Sequence, residues 1–190
     1  MIEADMPIPK VFVGLRVPSS LARLLSDFRP TRGIEAEGVR WSEPRDLHIT
    51  LKFLGAVAAT TITQIVWKLR TIRSTRFTVC LVKADVFEDA GVLVVDIEKS
   101  AALLSIQTAV DQLVSNDGAS LKARVFWPHI TLARWNPIAD DQVSNFDDIR
   151  TQLDSYTSAL PVRSFLVEEI ILYETVSGHY RISDKFRLGG

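Results

Sequence analysis

The sequence predicts an α+β fold made of two pseudo-symmetric lobes, with antiparallel sheets lining a central cleft and helices packed outside. Three observations lead there. Segments with the two-residue period of strands and the 3.6-residue period of helices are interspersed along all 190 residues. The tetrapeptide HITL occurs twice, once in each half of the chain, both times within a strand-like run, and each half also carries a helix of about four turns. No low-complexity linker separates the halves, so residues 1–190 are expected to form a single bilobal domain.

The elements follow in order. KVFVGLRV, residues 10–17, is rich in β-branched and aromatic side chains and stops at Pro18, as a strand does. Ser19 or Ser20 is placed to cap a short helix whose apolar residues are Leu21, Leu24, Leu25 and Phe28. A second extended stretch, 39–41, is broken by Glu43 and Pro44 and resumes as LHITLKFL, with Gly55 marking its end. Residues 60–74 carry Ile62, Ile65, Val66, Leu69 and Ile72 on one helical stripe, with threonines available at its start. Residues 77–86 and 92–97 read as a hairpin turning through EDAG. A helix over 99–114 closes at NDG, and a strand over 125–133 is interrupted by Pro128, which demands an edge position or a bend. A weaker helix over 140–153 precedes two strands, SFLVEEIILYE and GHYRISDKFRL, joined through Gly178.

Composition narrows the function classes. A hydrophobic share of 47% is enough for a sizeable core, and a net charge of −1 provides no global field for long nucleic acid, so any contact with nucleic acid must be local. The single cysteine, Cys80, forms neither an internal disulfide nor a cysteine-rich metal site. The N-terminus lacks the basic and apolar regions of a signal peptide and no run is long enough to span a bilayer, so a cytoplasmic protein is expected, without membrane contact or an obligate protein partner.

The repeated tetrapeptide carries the chemistry. The chain has only three histidines, and two of them, His48 and His129, open the two HITL copies. In a strand, residues i and i+2 share a face, so each histidine points the same way as the threonine after next, Thr50 or Thr131, while the Ile and Leu point into the core. Two such strands related by a pseudo-twofold would present two imidazoles and two hydroxyls to one cleft. That set suits in-line displacement at phosphorus: one neutral imidazole takes a proton from water and one imidazolium protonates the leaving oxygen. The threonine hydroxyls can donate to the non-bridging oxygens, where charge develops. A metal site is the competing reading of paired histidines. It is disfavoured because His-x-Thr is not a helical i, i+4 pair and neither tetrapeptide holds a carboxylate, so neither metal nor cofactor is expected.

These residues resemble a family, the LigT-like two-histidine phosphoesterases, and within it the RNA 2′,3′-cyclic phosphodiesterases also called 2′-5′ RNA ligases. VFVGLRVP is similar to the family's opening strand, VRWSEPRDLHITLKFLG and FWPHITLAR to its two motifs with their flanks, and VEEIILYETVSGHYRISDKFRL to its closing strand pair. The resemblance implies that His48 is the proton donor and His129 the acceptor, and that Arg134, five positions after His129, reaches the nucleotide or phosphate with its planar set of donors. It further implies hydrolysis of a 2′,3′-cyclic phosphate at an RNA end or on a nucleotide to a 2′-phosphomonoester, with reversible 2′-5′ RNA ligation beside it. ETVSGHY departs from the basic or serine-rich run of some relatives, and His179 within it has no threonine partner and reads as solvated. Trp41, Trp135 and Phe12 could stack on a base, but strand aromatics are more often core, and they are left outside the site. Two rivals follow: a phosphodiesterase for small cyclic nucleotides or ADP-ribose cyclic phosphate, told apart by activity on mononucleotides alone, and a non-catalytic RNA-end binder, told apart by the absence of turnover.

Overall fold

The structure, a computed structural model, describes residues 8–31, 39–115, 125–137 and 145–189. In chain order these form β1 (Lys10–Arg16), α1 (Ser19–Ser26), β2 (Arg40–Trp41), a 3₁₀ turn (Pro44–Asp46), β3 (His48–Ala56), α2 (Ala59–Leu69) and β4 (Phe77–Phe87). A second 3₁₀ turn (Glu88–Ala90) leads to β5 (Val92–Ile97), α3 (Ala101–Val114), β6 (His129–Arg134), α4 (Phe146–Ser158), β7 (Ser164–Val167), β8 (Glu169–Val176) and β9 (His179–Arg187). The strands pair antiparallel in the order β7-β4-β5-β6-β3-β1-β8-β9, with β2 laid against β6.

The expected α+β architecture is present, but its lobes are not the two halves of the sequence. One lobe is β3-β1-β8-β9 and the other β6-β5-β4-β7. They meet where the two HITL strands touch, with Ile49 opposite Ile130. The run SFLVEEIILYE, expected as one strand, is two. β7 pairs with β4 in the second lobe and β8 with β1 in the first, and the chain crosses between them at Glu168, whose carbonyl takes the Leu188 N–H at 2.8 Å. Hydrophobic patterning marks both pieces as strand, yet only the available edges decide which partner each one joins.

Several boundaries also move. Pro18 and Ala58, not Ser19, Ser20 or a threonine, occupy the N-cap positions of α1 and α2, and neither helix has a side-chain cap. Ser100 does cap α3, accepting the Leu103 N–H at 3.3 Å, while the expected NDG stop lies outside the described residues, as do residues 140–144 of the expected last helix. That helix is displaced to Phe146–Ser158. α2 ends at Leu69 because the following residues turn towards the C-terminus, where Arg76 N–H reaches the Gly189 carbonyl at 3.0 Å. β6 starts at His129 rather than residue 125. Pro128 has no N–H to give a ladder, so it marks a bend before a central strand, not an edge.

Val11, Val13 and Leu15 of β1 join Ile49, Leu51, Val95 and Ile130 in the main core, together with Ile65 and Leu69 of α2 and Leu103, Ile106 and Val110 of α3. The alternate residue Phe12 belongs to a second, smaller cluster with Ile171 and Tyr173, flanked by Tyr180 and Ile182. The first lobe is therefore apolar on both faces at this point, and the second face is the one that carries His48.

Candidate active site

Each HITL strand is bulged at its leucine. Opposite the step Val13–Gly14 of β1, β3 runs Thr50-Leu51-Lys52, and opposite Leu93–Val94 of β5, β6 runs Thr131-Leu132-Ala133. One extra residue inverts the alternation beyond it. Lys52, which strict alternation would place beside His48 and Thr50, instead forms an ion pair with Asp111 of α3. In its place Phe53, half exposed, comes within 5.3 Å of Phe12. In β6 the same device buries Ala133 and turns Arg134 towards the histidines, with its Nη2 3.4 Å from Thr131 Oγ1. Phe53 and Arg134 stand at the same offset, five residues after their histidines. Sequence reasoning missed Phe53, although that shared offset could have pointed to it. Gly14 sits opposite Thr50, where a Cβ would come within 2.8 Å of the Ile49 carbonyl, so a close strand approach requires glycine here.

The imidazoles are held alike. His48 Nδ1–H donates to the Asp46 carbonyl at 2.6 Å, and His129 Nδ1–H donates to the Trp127 carbonyl at 2.8 Å. In each case the acceptor lies two residues upstream, which fixes the neutral tautomer and leaves Nε2 available for proton transfer. His48 packs on Phe12 at 4.6 Å and meets the edge of Tyr180 at 4.8 Å, while His129 faces the edge of Phe87 at 6.2 Å.

Two buried carboxylates, neither anticipated, lie behind these contacts. Asp46 accepts from His179 Nδ1–H at 2.9 Å and from the Tyr180 N–H at 3.1 Å, which ties the β8–β9 turn to the 3₁₀ turn preceding His48. His179, which its sequence context marks as solvated, is half exposed and bonded to Asp46. In the second lobe Asp96 lies opposite His129 and accepts from Trp127 Nε1 at 2.8 Å, anchoring the residue whose carbonyl holds His129. Trp41 and Trp135 pack against Phe28 and Phe146 and stay outside the site.

Among the described residues one group offers metal-type donors, Glu43, Asp46 and His179. Its atoms are engaged with one another and with Arg45, 2.8 Å from Glu43, and it contains neither HITL histidine.

Burial pushes the His48 pKa down to about 4, opposed by the hydrogen bond to Asp46 and assisted by the charges of Arg134 and His129. His129 is lowered as well, mainly by burial, with Arg134 again contributing. One guanidinium therefore acts on both imidazoles, placing Arg134 with the pair. The sign for stability follows. Between pH 6.5 and about 4 the unfolded chain binds a proton at residue 48 that the native chain refuses, so stability falls as pH falls through this window. The loss is on the order of 3 kcal/mol, and His48→Gln is expected to remove it. Chemical denaturation at pH 7 and pH 4.5 checks this; equal pH slopes in the two proteins would contradict the burial argument.

The two HITL histidines share an α+β scaffold whose architecture recurs in known proteins. Residues 17–179 match the 2′-5′ RNA ligase superfamily, and the chain belongs to that superfamily. It is 32% identical, over 131 residues, to the RNA 2′,3′-cyclic phosphodiesterase of Bacillus subtilis (strain 168), covering 66% of this chain and 71% of that protein. The crystal structure of E. coli LigT complexed with 3′-AMP superposes with a TM-score of 0.74 at 22% identity, covering 96% of this chain and 99% of the other. The crystal structure of TT0787 of Thermus thermophilus gives a TM-score of 0.67 at 22% identity, covering 95% of this chain and 98% of the other. The enzymatic role expected from the paired motifs agrees with the superfamily and with the name of the Bacillus relative.

Proposed function

We propose that the chain, acting as one bilobal domain, hydrolyses 2′,3′-cyclic phosphates at RNA ends to 2′-phosphomonoesters by acid/base catalysis between His48 and His129. The observation that carries this reading is the matched pair of imidazoles, each with Nδ1 tied to a carbonyl two residues upstream and Nε2 available. In the proposed reaction His129 Nε2 takes a proton from the attacking water. The new P–O bond forms as the bond from phosphorus to the 3′ oxygen breaks, and His48 Nε2–H gives its proton to that oxygen. An imidazolium with so low a pKa is a strong acid, and the bound phosphate supplies the negative charge that lets it carry the proton beforehand. Thr50, Thr131 and Arg134 hold the non-bridging oxygens. The choice of ester bond and the direction of the roles follow the family resemblance, and 2′-5′ ligation is the same displacement with the 5′ hydroxyl of a second RNA end in place of water.

The test is product analysis after incubation with a 2′,3′-cyclic-phosphate oligonucleotide in excess chelator. A 2′-phosphate product formed at an undiminished rate is expected. Chelator-sensitive turnover restored by zinc or manganese would overturn the metal-free mechanism, and activity on mononucleotides alone would favour a small cyclic nucleotide as substrate.

A further inference from the structure

Beside the cleft, where the crossing from β7 to β8 runs past the ends of β1 and β9, lies a groove of about 680 Å³ whose walls include Arg16, Arg76, Glu168, Glu169 and Arg187. Neither HITL histidine lines it. Its position relative to them follows from strand register. Arg16 is directly opposite His48 across β1–β3, and Glu169 is directly opposite Arg187 across β8–β9. Opposed residues of antiparallel strands project from one face, so Arg16 stands on the face of His48. The β1–β8 register, with Gly14 opposite Ile171, brings Arg16 beside Glu169. His48, Arg16, Glu169 and Arg187 therefore form a row across four neighbouring strands. Arg16 is about 5 Å and Arg187 about 15 Å along the sheet from the histidine.

The charges in this groove are unbalanced. Glu168 is taken by Arg76 at 3.4 Å and Glu169 by Lys185 at 3.0 Å. Arg16 and Arg187, both exposed, form no ion pair with any described residue. Two uncompensated guanidiniums in one groove, aligned with a phosphate-processing histidine, suit a run of phosphodiester groups. On a chain of net charge −1 the attraction is local to this face.

We propose that the groove receives the backbone phosphates on the 5′ side of the reacting end, so that Arg16 and Arg187 make turnover depend on the length of the strand. This rests on the reading that the cleft processes a cyclic phosphate. Phosphate contacts carry no base information, so the groove confers a preference for chain length and not for sequence.

Turnover is compared on a tetranucleotide and on a mononucleotide, each ending in a 2′,3′-cyclic phosphate, for the parent protein, Arg16→Gln, Arg187→Gln and the double variant. Arg23→Gln, on the exposed side of α1, serves as the charge control. The double variant is expected to lose about tenfold or more in kcat/KM on the tetranucleotide relative to the mononucleotide. The salt dependence of the parent should be steeper for the tetranucleotide, by about 0.7 in log–log slope per phosphate contact, and should flatten in the variants. Equal losses on both substrates, or equal salt slopes in the parent, would overturn the proposal. A labelled tetranucleotide with a 2′-phosphate end, followed by anisotropy, separates the two readings. Binding that weakens in the variants although no cyclic phosphate is turned over keeps the groove and rejects the chemistry. Turnover of cyclic phosphates with binding indifferent to both arginines keeps the chemistry and rejects the groove.

Discussion

His48→Ala and His129→Ala are each expected to lower kcat on a 2′,3′-cyclic phosphate by about 10²–10⁴-fold, the range for removing a positioned general acid or base. The two losses differ in kind. A substrate with a good leaving group needs little protonation, so it should recover much of the rate in His48→Ala. It should recover none in His129→Ala, where activation of water is missing. Rescue in the opposite pattern would exchange the roles, and near-normal turnover in both variants would end the two-histidine mechanism. The pH profile of the parent adds a second readout. One imidazole must be neutral and one protonated, so kcat/KM should trace a bell reporting macroscopic values of the free enzyme. Both imidazoles titrate below 6.5 because burial and Arg134 disfavour their charged forms, which places the optimum of kcat/KM on the acid side of 6.5. The bound phosphate anion restores the missing counter-charge, so the optimum of kcat should lie at higher pH than that of kcat/KM.

Thr50→Ala and Thr131→Ala should each lower kcat by a factor on the order of ten to a thousand, as loss of a preorganised donor to a developing oxyanion does. Both threonines are half-buried on strands paired on both sides, so thermal melts should show the fold retained. Thr→Ser separates hydroxyl from shape: it keeps the donor but frees χ1, and should lose far less than Thr→Ala. Thr131 differs from Thr50 in lying 3.4 Å from Arg134 Nη2, which occupies a lone pair of the hydroxyl and leaves its proton for the phosphate. Thr131→Ala and Arg134→Ala are therefore expected to be non-additive in kcat/KM. Alanine variants as active as the parent would remove the clamp.

What the sequence determined by itself was local and repetitive. The two HITL copies, with His48 and Thr50 or His129 and Thr131 at i and i+2, put four polar groups on strand faces opposite the core, since that alternation depends on nothing beyond the strand. The long helix from Ala101 and the β4–β5 hairpin were legible for the same reason: their patterns and turn residues lie within one short segment. Tertiary structure decided whatever depends on a partner. The bulges at Leu51 and Leu132 exist only relative to β1 and β5, and they exchange Lys52 for Phe53 and bring Arg134 round to the histidines. The split at Glu168 follows from β4 and β1 each offering an edge to a different piece of one hydrophobic run. Asp46 and Asp96 gave no periodic signal, because their role is to receive hydrogen bonds from His179, Tyr180 and Trp127, which only the folded chain brings to them. The depressed pKa of His48 has the same origin. An imidazole titrates normally in the extended chain, and it is the packing of Phe12 and Tyr180 against it, with Arg134 arriving from the other lobe, that withdraws the water its charge would need.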